Sequence, residues 1–296
     1  MNLEKAKIDF SNHVKTLQNE ICDTLRSFDP KLKLTEDKWE RLDFNDSPGG
    51  GGITRYFTGE LIESAGVNTS EIHGAINPEF SKHLSGTGNE LWATGISLII
   101  HPRNPRVPTV HANFRMIQHG QKHWFGGGAD LTPFYPHRED FEHFHGVWKK
   151  ACAPFDCYPK MKKTCDEYFV NKHRDNEMRG IGGIFFDHLS SDIKKDFDQV
   201  TSMSNYFVES YFPIVKKRMN EAFIKADEEF MLYRRGRYVE FNLIHDRGTL
   251  FGLKTKGRTK SIFVSLPARC SFHYDFLAPE NSVQAEMNKL YSPHSW

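Results

Sequence analysis

The sequence lacks the features that mark several large classes of proteins. It has 296 residues, and its longest apolar runs, such as residues 96–100 with Ser97 inside, are far shorter than the roughly 18 residues of a membrane span. Lysine and arginine together number 39, and aspartate and glutamate together number 38. No excess of one charge therefore favours binding to nucleic acid or to an anionic membrane. These absences predict a soluble globular protein whose function depends on local groups.

Cysteine is scarce, and its spacing excludes the common cysteine frameworks. The five cysteines are Cys22, Cys152, Cys157, Cys165 and Cys270. They contain no C-x-x-C pair, and their odd number disfavours a set of structural disulfides. The first residues include Glu4 and Asp9 and no apolar core, which disfavours a secretory signal and a transit peptide. We therefore expect a reducing compartment, with the cytoplasm as the location.

Two glycine-rich segments lack the remaining residues of nucleotide-binding motifs. Residues 49–52 are followed by Ile-Thr-Arg instead of the Gly-Lys-Ser/Thr of a phosphate-binding loop. Residues 180–183 lack the third spaced glycine of a dinucleotide fingerprint. We therefore expect no nucleotide cofactor. Because four consecutive glycines lose much backbone entropy on ordering, residues 49–52 are predicted to form a mobile loop or lid.

The hydrophobic pattern predicts an α+β fold in a single domain of residues 1–296, with a large and mainly antiparallel sheet. Apolar residues at steps of three and four predict an N-terminal helix from Leu3 to Leu25. The other predicted helices span residues 138–150, 159–174 and 208–230. The predicted strands span residues 94–101, 109–118, 122–125, 182–186, 238–245, 249–255 and 261–266, with a tight hairpin turn at residues 246–248.

Two of these strands carry a polar face. His111, Asn113 and Arg115 alternate with apolar residues, and strand geometry places such residues on one face. Ser97 and His101 share one parity in the preceding strand, and a hairpin would bring all five residues onto one surface. This surface is a candidate site. The alternative is the solvated outer face of an antiparallel sheet.

Histidine is abundant, with 15 residues. His145 and His173 fall on apolar stripes of predicted helices, so both are expected to face the sheet. Together with His101 and His111 they form a candidate metal site that only the folded chain would assemble, because the sequence contains no H-E-x-x-H or similar short spacing. The alternative for each is a hydrogen-bonded histidine of the core.

Residues 124–133 combine aromatic residues, three consecutive glycines and Asp130. The glycines allow a flat ligand to approach the backbone, and the Asp130 carboxylate is an acceptor for N–H donors. Basic clusters at residues 234–237 and 256–258 suit carboxylates, because the arginine fork binds them through two hydrogen bonds. The alternative for each cluster is a solvated basic turn.

Several segments of the chain resemble the oxygen-dependent coproporphyrinogen III oxidases. They are residues 99–105, 109–115, 124–133, 158–160, 172–174, 179–187 and 233–242. They follow the family's order, and the resemblance extends over nearly the whole chain. It implies aerobic oxidative decarboxylation of two propionates of coproporphyrinogen III to vinyl groups, which gives protoporphyrinogen IX, carbon dioxide and hydrogen peroxide in haem biosynthesis. It also implies a sheet flanked by helices on both faces, and a homodimer whose interface includes residues 238–258.

The resemblance also implies roles for individual residues. His111 matches a proton-donor histidine, Asp130 matches an aspartate proposed to hold the pyrrole N–H groups, and we group Arg115 with them as catalytic. The residues that match substrate contacts are Ser97, Asn113, Phe114, Arg115, Lys256, Gly257 and Arg258. The electron-rich porphyrinogen reduces dioxygen itself, so no cofactor is required. A divalent metal such as manganese, at His101, His111, His145 and His173, is optional.

Some residues depart from the family pattern, and two other classes of protein stay open. His123, His188 and His245 replace the family's usual residues, and residues 267–272 diverge from the common ending. A histidine-rich metal hydrolase or non-haem oxygenase would contain stoichiometric metal. A non-catalytic tetrapyrrole carrier would bind the carboxylates without turnover.

Overall fold

A seven-stranded antiparallel sheet organises the chain. The computed structural model describes residues 1–82, 84–254 and 257–296. The strands are β1 (Lys33–Leu42), β2 (Pro48–Thr58), β3 (Ile62–Ala75), β4 (Glu90–Pro102), β5 (Thr109–His119), β6 (Lys122–Thr132), β7 (Val170–Asn171), β8 (Glu177–Met178) and β9 (Gly183–Leu189). The order in the large sheet is β1-β2-β3-β4-β5-β6-β9, and β7 pairs with β8 separately.

Helices lie on both faces of this sheet, which confirms the predicted α+β class. They are α1 (Leu3–Phe28), α2 (Pro78–Ser81), α3 (Arg138–Cys152), α4 (Tyr158–Tyr168), α5 (Ile193–Ser204), α6 (Phe207–Arg218), α7 (Lys225–Ile244), α8 (Arg247–Lys254), α9 (Thr259–Phe263) and α10 (Val283–Lys289), with a 3₁₀ turn at Ala153–Phe155. Within the described ranges, no helix is both long enough and apolar enough to cross a membrane.

Alternation along the strands gives the sheet one apolar and one polar face. On the apolar face, Leu98 of β4 lies opposite Ala112 of β5, and the neighbouring Phe114 is also buried. This face packs against α1, α3, α5 and α6, and burial of each large apolar side chain contributes about 1.5–3 kcal/mol. On the polar face, Ser97 lies opposite Asn113, so the predicted hairpin and its parity are confirmed.

The glycine run belongs to the sheet, so the prediction of a mobile loop or lid at residues 49–52 is wrong. Gly51 pairs with Glu40 of β1 on one side and with Glu71 of β3 on the other. A Cβ atom at Gly51 would collide with the backbone oxygen of Trp39, and Gly50 adopts a φ of +82°. The close approach of three strands therefore requires glycine, and two ladders of hydrogen bonds offset the entropy lost on ordering.

The strands predicted over residues 238–245, 249–254 and 261–266 are also wrong, as is the hairpin turn at residues 246–248. Residue 255, the end of the second predicted strand, lies outside the described residues. This region forms α7, α8 and α9, and Ser261 of α9 and Ser265 after it contact β2 and β4 on the polar face. Its aromatic residues resemble a strand pattern, but Tyr238, Phe241 and Asn242 recur at helical steps and are buried. Tertiary packing here outweighs local strand propensity.

Two predicted helices have other boundaries. The helix expected over residues 208–230 is divided into α6 and α7, which are separated at residues 219–224. The helix expected over residues 159–174 ends at Tyr168, so His173 lies beyond it, after β7. By contrast, α1 matches its predicted apolar stripe, and the Asn2 side chain caps it by accepting a hydrogen bond from the Lys5 amide.

Candidate active site

A histidine–aspartate pair lies at the centre of the polar face. His111 of β5 and Asp130 of β6 are direct cross-strand partners, and His111 Nδ1 lies 2.9 Å from Asp130 Oδ1. The His111 side chain is 17% exposed, whereas that of Asp130 is 3% exposed. No hydrogen bond to His111 Nε2 occurs within the described part of the chain. The buried carboxylate therefore orients the imidazole and leaves its second nitrogen for a ligand.

Arg179, directly after β8, holds Asp130 from the other side. Its Nη2 donates to both oxygens of Asp130, at 2.8 Å to Oδ1 and 2.7 Å to Oδ2. Its Nη1 donates to Oδ1 of Asn242 on α7, at 2.7 Å. The guanidinium carbon lies 4.2 Å from the ring centroid of Phe169 and 4.4 Å from that of Tyr238. Aromatic faces and one carboxylate thus stabilise this buried cation.

The ion pair fixes the charges of both partners. Burial alone would raise the pKa of Asp130, but the Arg179 guanidinium and the hydrogen bond with His111 hold this pKa below its ordinary value. Burial likewise opposes the charge on Arg179, but the Asp130 carboxylate raises its pKa above the ordinary value. Asp130 is therefore an anion at neutral pH, and it accepts three hydrogen bonds out of about four that a carboxylate can accept.

A second cluster of charges lies beside this pair. Arg115 faces Gly126 across the β5–β6 ladder, and a Cβ atom at Gly126 would lie 3.0 Å from Arg115 Nε. Arg115 Nη2 lies 3.2 Å from Asp187 Oδ1, and Arg247 Nη2 lies 3.4 Å from Asp187 Oδ2. The two arginine side chains remain 31% and 59% exposed. Asp187 therefore holds two at least partly exposed guanidinium groups close together, an arrangement suited to carboxylates.

Three other predicted substrate contacts are Ser97, Asn113 and Arg258. Ser97 is exposed, and Asn113 accepts a hydrogen bond of 3.2 Å from Arg115. Arg258 pairs with Asp37 of β1, which lies in the same row of the sheet as Ser97 but three strands away, or about 14 Å.

The remaining three predicted substrate contacts are Lys256, Gly257 and Phe114. The amide of Gly257 donates to the backbone oxygen of Gly252, and Lys256 lies outside the described residues. The Phe114 ring faces the apolar core, 6.5 Å from the Trp148 ring, so its side chain does not lie on the polar face.

Comparison with known proteins decides which family this site belongs to. The family model described as coproporphyrinogen III oxidase matches residues 9–296. The chain belongs to the coproporphyrinogen III oxidase family. An oxygen-dependent coproporphyrinogen-III oxidase of Prochlorococcus marinus strain MIT 9301 is 43% identical over 325 residues, which cover 99% of this chain and 92% of the relative. The enzyme of the same name from another strain of that species is 40% identical, with 99% and 93% covered.

In this member of the coproporphyrinogen III oxidase family, the four histidines considered for a metal are not brought together. His145 lies on α3, which packs against the apolar face, so the sheet separates it from His111. His173 Nδ1 lies 2.8 Å from His245, and its Nε2 lies 2.9 Å from Glu240. The described residues contain no group of three or more His, Cys, Asp or Glu side chains arranged to hold a metal ion.

Hydrogen bonds occupy both ring nitrogens of the two buried histidines of this set. His101 contacts Thr109 Oγ1 and the Ser265 backbone oxygen, each at 3.2 Å. The corresponding partners of His145 are the Tyr158 hydroxyl, at 2.8 Å, and the backbone oxygen of Ile181, at 3.1 Å. Burial lowers the pKa of His145 to about 3 and that of His101 well below its ordinary value. Both are therefore neutral, and the set does not fit a shared metal ion in this arrangement.

Four residues of the candidate active site were not singled out from the sequence. They are Arg179, Asp187, Asn242 and Arg247. All four fall within or beside segments that carry the family resemblance or the predicted hairpin turn, but their partners are distant in the sequence. Arg179, for example, is 49 residues from Asp130 and 63 from Asn242. Strand parity predicts only which residues of neighbouring strands share a face.

Proposed function

We propose that this protein catalyses the aerobic oxidative decarboxylation of coproporphyrinogen III to protoporphyrinogen IX, an oxidoreductase reaction of haem biosynthesis. The observation that carries the proposal is the placement of an acid–base pair next to two arginines on the polar face of the sheet, in a chain of this family. There, the His111–Asp130 pair lies beside the partly exposed guanidinium group of Arg115 and the exposed one of Arg247. The relatives at 40–43% identity are named for an oxidase of this substrate.

The charges of the site match the charges of this substrate. Coproporphyrinogen III carries four propionates, and arginine binds carboxylates through paired hydrogen bonds. Arg115 and Arg247 are already held by the carboxylate of Asp187, at 3.2 and 3.4 Å. A substrate propionate can therefore replace or share this contact without reorganising either arginine.

The stoichiometry of the reaction requires a proton donor, and His111 is the candidate. Conversion of one propionate to a vinyl group consumes one dioxygen and one proton, and it releases carbon dioxide and hydrogen peroxide. His111 Nε2 is positioned to supply that proton, while Asp130 holds Nδ1. We further propose that Asp130 uses its remaining acceptor position, on Oδ2, for a pyrrole N–H group. The porphyrinogen supplies the electrons, so we propose that no resident cofactor is required.

The first experiment incubates purified, chelator-treated protein with coproporphyrinogen III under air and under argon. Protoporphyrin fluorescence is measured after the product has been oxidised. We expect product in air and none under argon. Product only after manganese or iron is restored would instead favour a metal enzyme. Binding without product in any condition would favour a carrier.

Two variants with the same substitution test the role of His111. We expect His111→Gln to lower kcat by about 10²–10⁴, because it removes the proton donor. His123→Gln, at the start of β6 and about 24 Å along the strand from Asp130, should retain the wild-type kcat. Equal losses in the two variants would contradict this role.

We also propose a homodimer whose interface includes residues 238–258. In support, Leu243 and Ile244 at the end of α7 and Leu253 of α8 are exposed apolar side chains within this region. Burial of such side chains against a second copy would remove apolar surface from water. A location in the cytoplasm stays a prediction from the sequence.

A further inference from the structure

Three sulphur atoms form a cluster on the apolar side of the sheet, away from the candidate active site. Cys152 is the last residue of α3, Cys157 directly precedes α4, and Met203 lies on α5. The Sδ atom of Met203 lies 3.6 Å from Cys152 Sγ and 3.9 Å from Cys157 Sγ. Cys157 Sγ also lies 3.8 Å from the backbone oxygen of Cys152. Both thiols therefore contact one thioether, and four residues of chain, including the 3₁₀ turn, separate the two cysteines.

The two thiols have different surroundings. Cys152 is fully buried, whereas Cys157 is half-buried. Cys157 occupies the N-cap position of α4, a helix of 11 residues, where the aligned amide dipoles favour a thiolate. A hydrogen bond from the Cys152 thiol lowers the pKa of Cys157, as do the Cys157 backbone amide and Gln199, and these effects outweigh burial, which raises it. The same hydrogen bond and burial raise the pKa of Cys152.

We propose that Cys157 and Cys152 form a peroxide-reactive dithiol, with Cys157 as the attacking thiol and Cys152 as the resolving thiol. The Cys157 thiolate attacks hydrogen peroxide; an S–O bond forms, the O–O bond breaks, and hydroxide leaves. The Cys152 thiol then attacks the resulting sulfenic acid, so that a disulfide forms and water leaves. In total, two thiols lose two electrons and two protons, and one peroxide becomes two waters.

This inference goes beyond the proposed function and does not depend on it. Hydrogen peroxide is a product of the proposed reaction, but the test adds it as a reagent. The chemistry of the three sulphurs is therefore measured without substrate.

Cys270 provides the matched comparison within the same chain. It is half-buried, as Cys157 is, but burial raises its pKa. No second cysteine contacts it within the described residues. Cys22 and Cys165 are buried, and burial raises the pKa of both. We therefore expect hydrogen peroxide to oxidise Cys157 faster than Cys22, Cys165 and Cys270.

The experiment treats the reduced, full-length protein with a small excess of hydrogen peroxide. Remaining thiols are then alkylated, and peptides are mapped by mass spectrometry without reduction. We expect a Cys152–Cys157 disulfide, a loss of two free thiols and oxidation of Cys157 about tenfold faster than that of Cys270. Equal rates at Cys157 and Cys270, or sulfenic acid at Cys157 without a cross-link to Cys152, would overturn the proposal.

Three serine variants separate the two steps. Cys152→Ser should stop at the sulfenic acid of Cys157, which dimedone traps. Cys157→Ser should form no disulfide and should leave Cys152 unlabelled. Cys270→Ser should form the disulfide at the wild-type rate. Labelling of Cys152 by dimedone in Cys157→Ser would show that the order of attack is wrong, and the comparison within the wild-type chain needs no variant to fold.

Discussion

At Asp130 one carboxylate serves two neighbours of different exposure. It neutralises the buried guanidinium of Arg179 and orients the partly exposed ring of His111. A buried ion pair is costly to desolvate, and it stabilises a fold only when its remaining hydrogen bonds are satisfied. Asn242 and the aromatic rings around Arg179 supply part of this satisfaction. The ion pair therefore holds the candidate active site in place as well as contributing to the buried interior.

Asparagine at position 130 should test this ion pair. We expect Asp130→Asn to lower the free energy of unfolding by about 3–5 kcal/mol, because Arg179 stays buried without a counterion. Asp187→Asn makes the same change on the same face, at an ion pair that is partly exposed. It should cost less than about 1 kcal/mol. Urea denaturation at neutral pH measures both values, and similar losses in the two variants would contradict the difference in burial.

At the scale of residues, parity predicts the polar face but not the partners behind it. Ser97, His111, Asn113 and Arg115 share one face as the alternation predicts. Phe114 was assigned to the substrate by resemblance, although its own parity places its ring on the apolar face. Arg179 could not be predicted as the partner of Asp130, because nothing local specifies a contact across 49 residues.

Among the elements, α9 depends on a glycine of the sheet for its position. Val264 follows α9 and lies directly over Gly66 of β3. A Cβ atom at Gly66 would collide with Cγ1 of Val264, so a side chain there would displace the segment that covers β2 and β3. The absence of a side chain in the strand thus determines how closely the helix approaches.

A double-mutant cycle tests this contact. We expect Gly66→Ala to lower the free energy of unfolding by about 1–3 kcal/mol through overpacking, and to cost less in a Val264→Ala background. Gly146→Ala on α3 is the matched control, because its Cβ atom meets nothing within 4 Å. It should stabilise the protein by about 0.5–1 kcal/mol through helix propensity. A Gly66→Ala cost that is unchanged in the Val264→Ala background would place the strain elsewhere.

The elements that the sequence predicts well are those whose periodicity agrees with their packing. The α1 helix and the β4–β5 hairpin bury the faces that their patterns indicate. The glycine run of β2 was missed because its pairing depends on two neighbouring strands. The aromatic residues of α7 were misread because their burial against Arg179 and the sheet is a tertiary effect.

For the molecule as a whole, the two neutral histidines His101 and His145 lie on opposite sides of the sheet. Each is buried with both ring nitrogens hydrogen-bonded. The sequence predicted His101 on the polar face of a strand and His145 on a helix face directed at the sheet. It could not show that the sheet would lie between His145 and His111. The hydrophobic pattern predicted the antiparallel sheet, and the family resemblance predicted the helices that flank it, whereas a single domain and a dimer stay predictions.

Burial of His145 should make the protein sensitive to acid. The unfolded chain protonates this histidine near its ordinary pKa of 6.5, whereas the folded protein does so only near a pKa of about 3. The unfolded state therefore binds more protons, and stability is lost as the pH falls below 6.5, at about 1.4 kcal/mol per pH unit. We expect His145→Gln to reduce this slope by about one proton, measured by urea denaturation between pH 7 and pH 5.

His143→Gln is the control for this pH dependence. It makes the same change on the same helix, at a half-buried position where, among the described residues, the ring has a hydrogen-bond partner in the Glu209 backbone oxygen. The slope of the wild type should persist in this variant. A slope that falls equally in both variants would assign the acid sensitivity to a general property of α3 and not to the buried imidazole.

The strand order also bears on how the protein folds. From β1 to β6 each strand pairs with the next strand along the chain, so the polar face can form by successive hairpins between neighbours in the sequence. Arg179 reaches Asp130 only when β9 docks against β6, after a long excursion through α3 and α4. We therefore expect Asp130 to be solvated while the hairpins form and to lose its water only when β9 arrives. In this order of assembly, the carboxylate is desolvated only when its counterion is present.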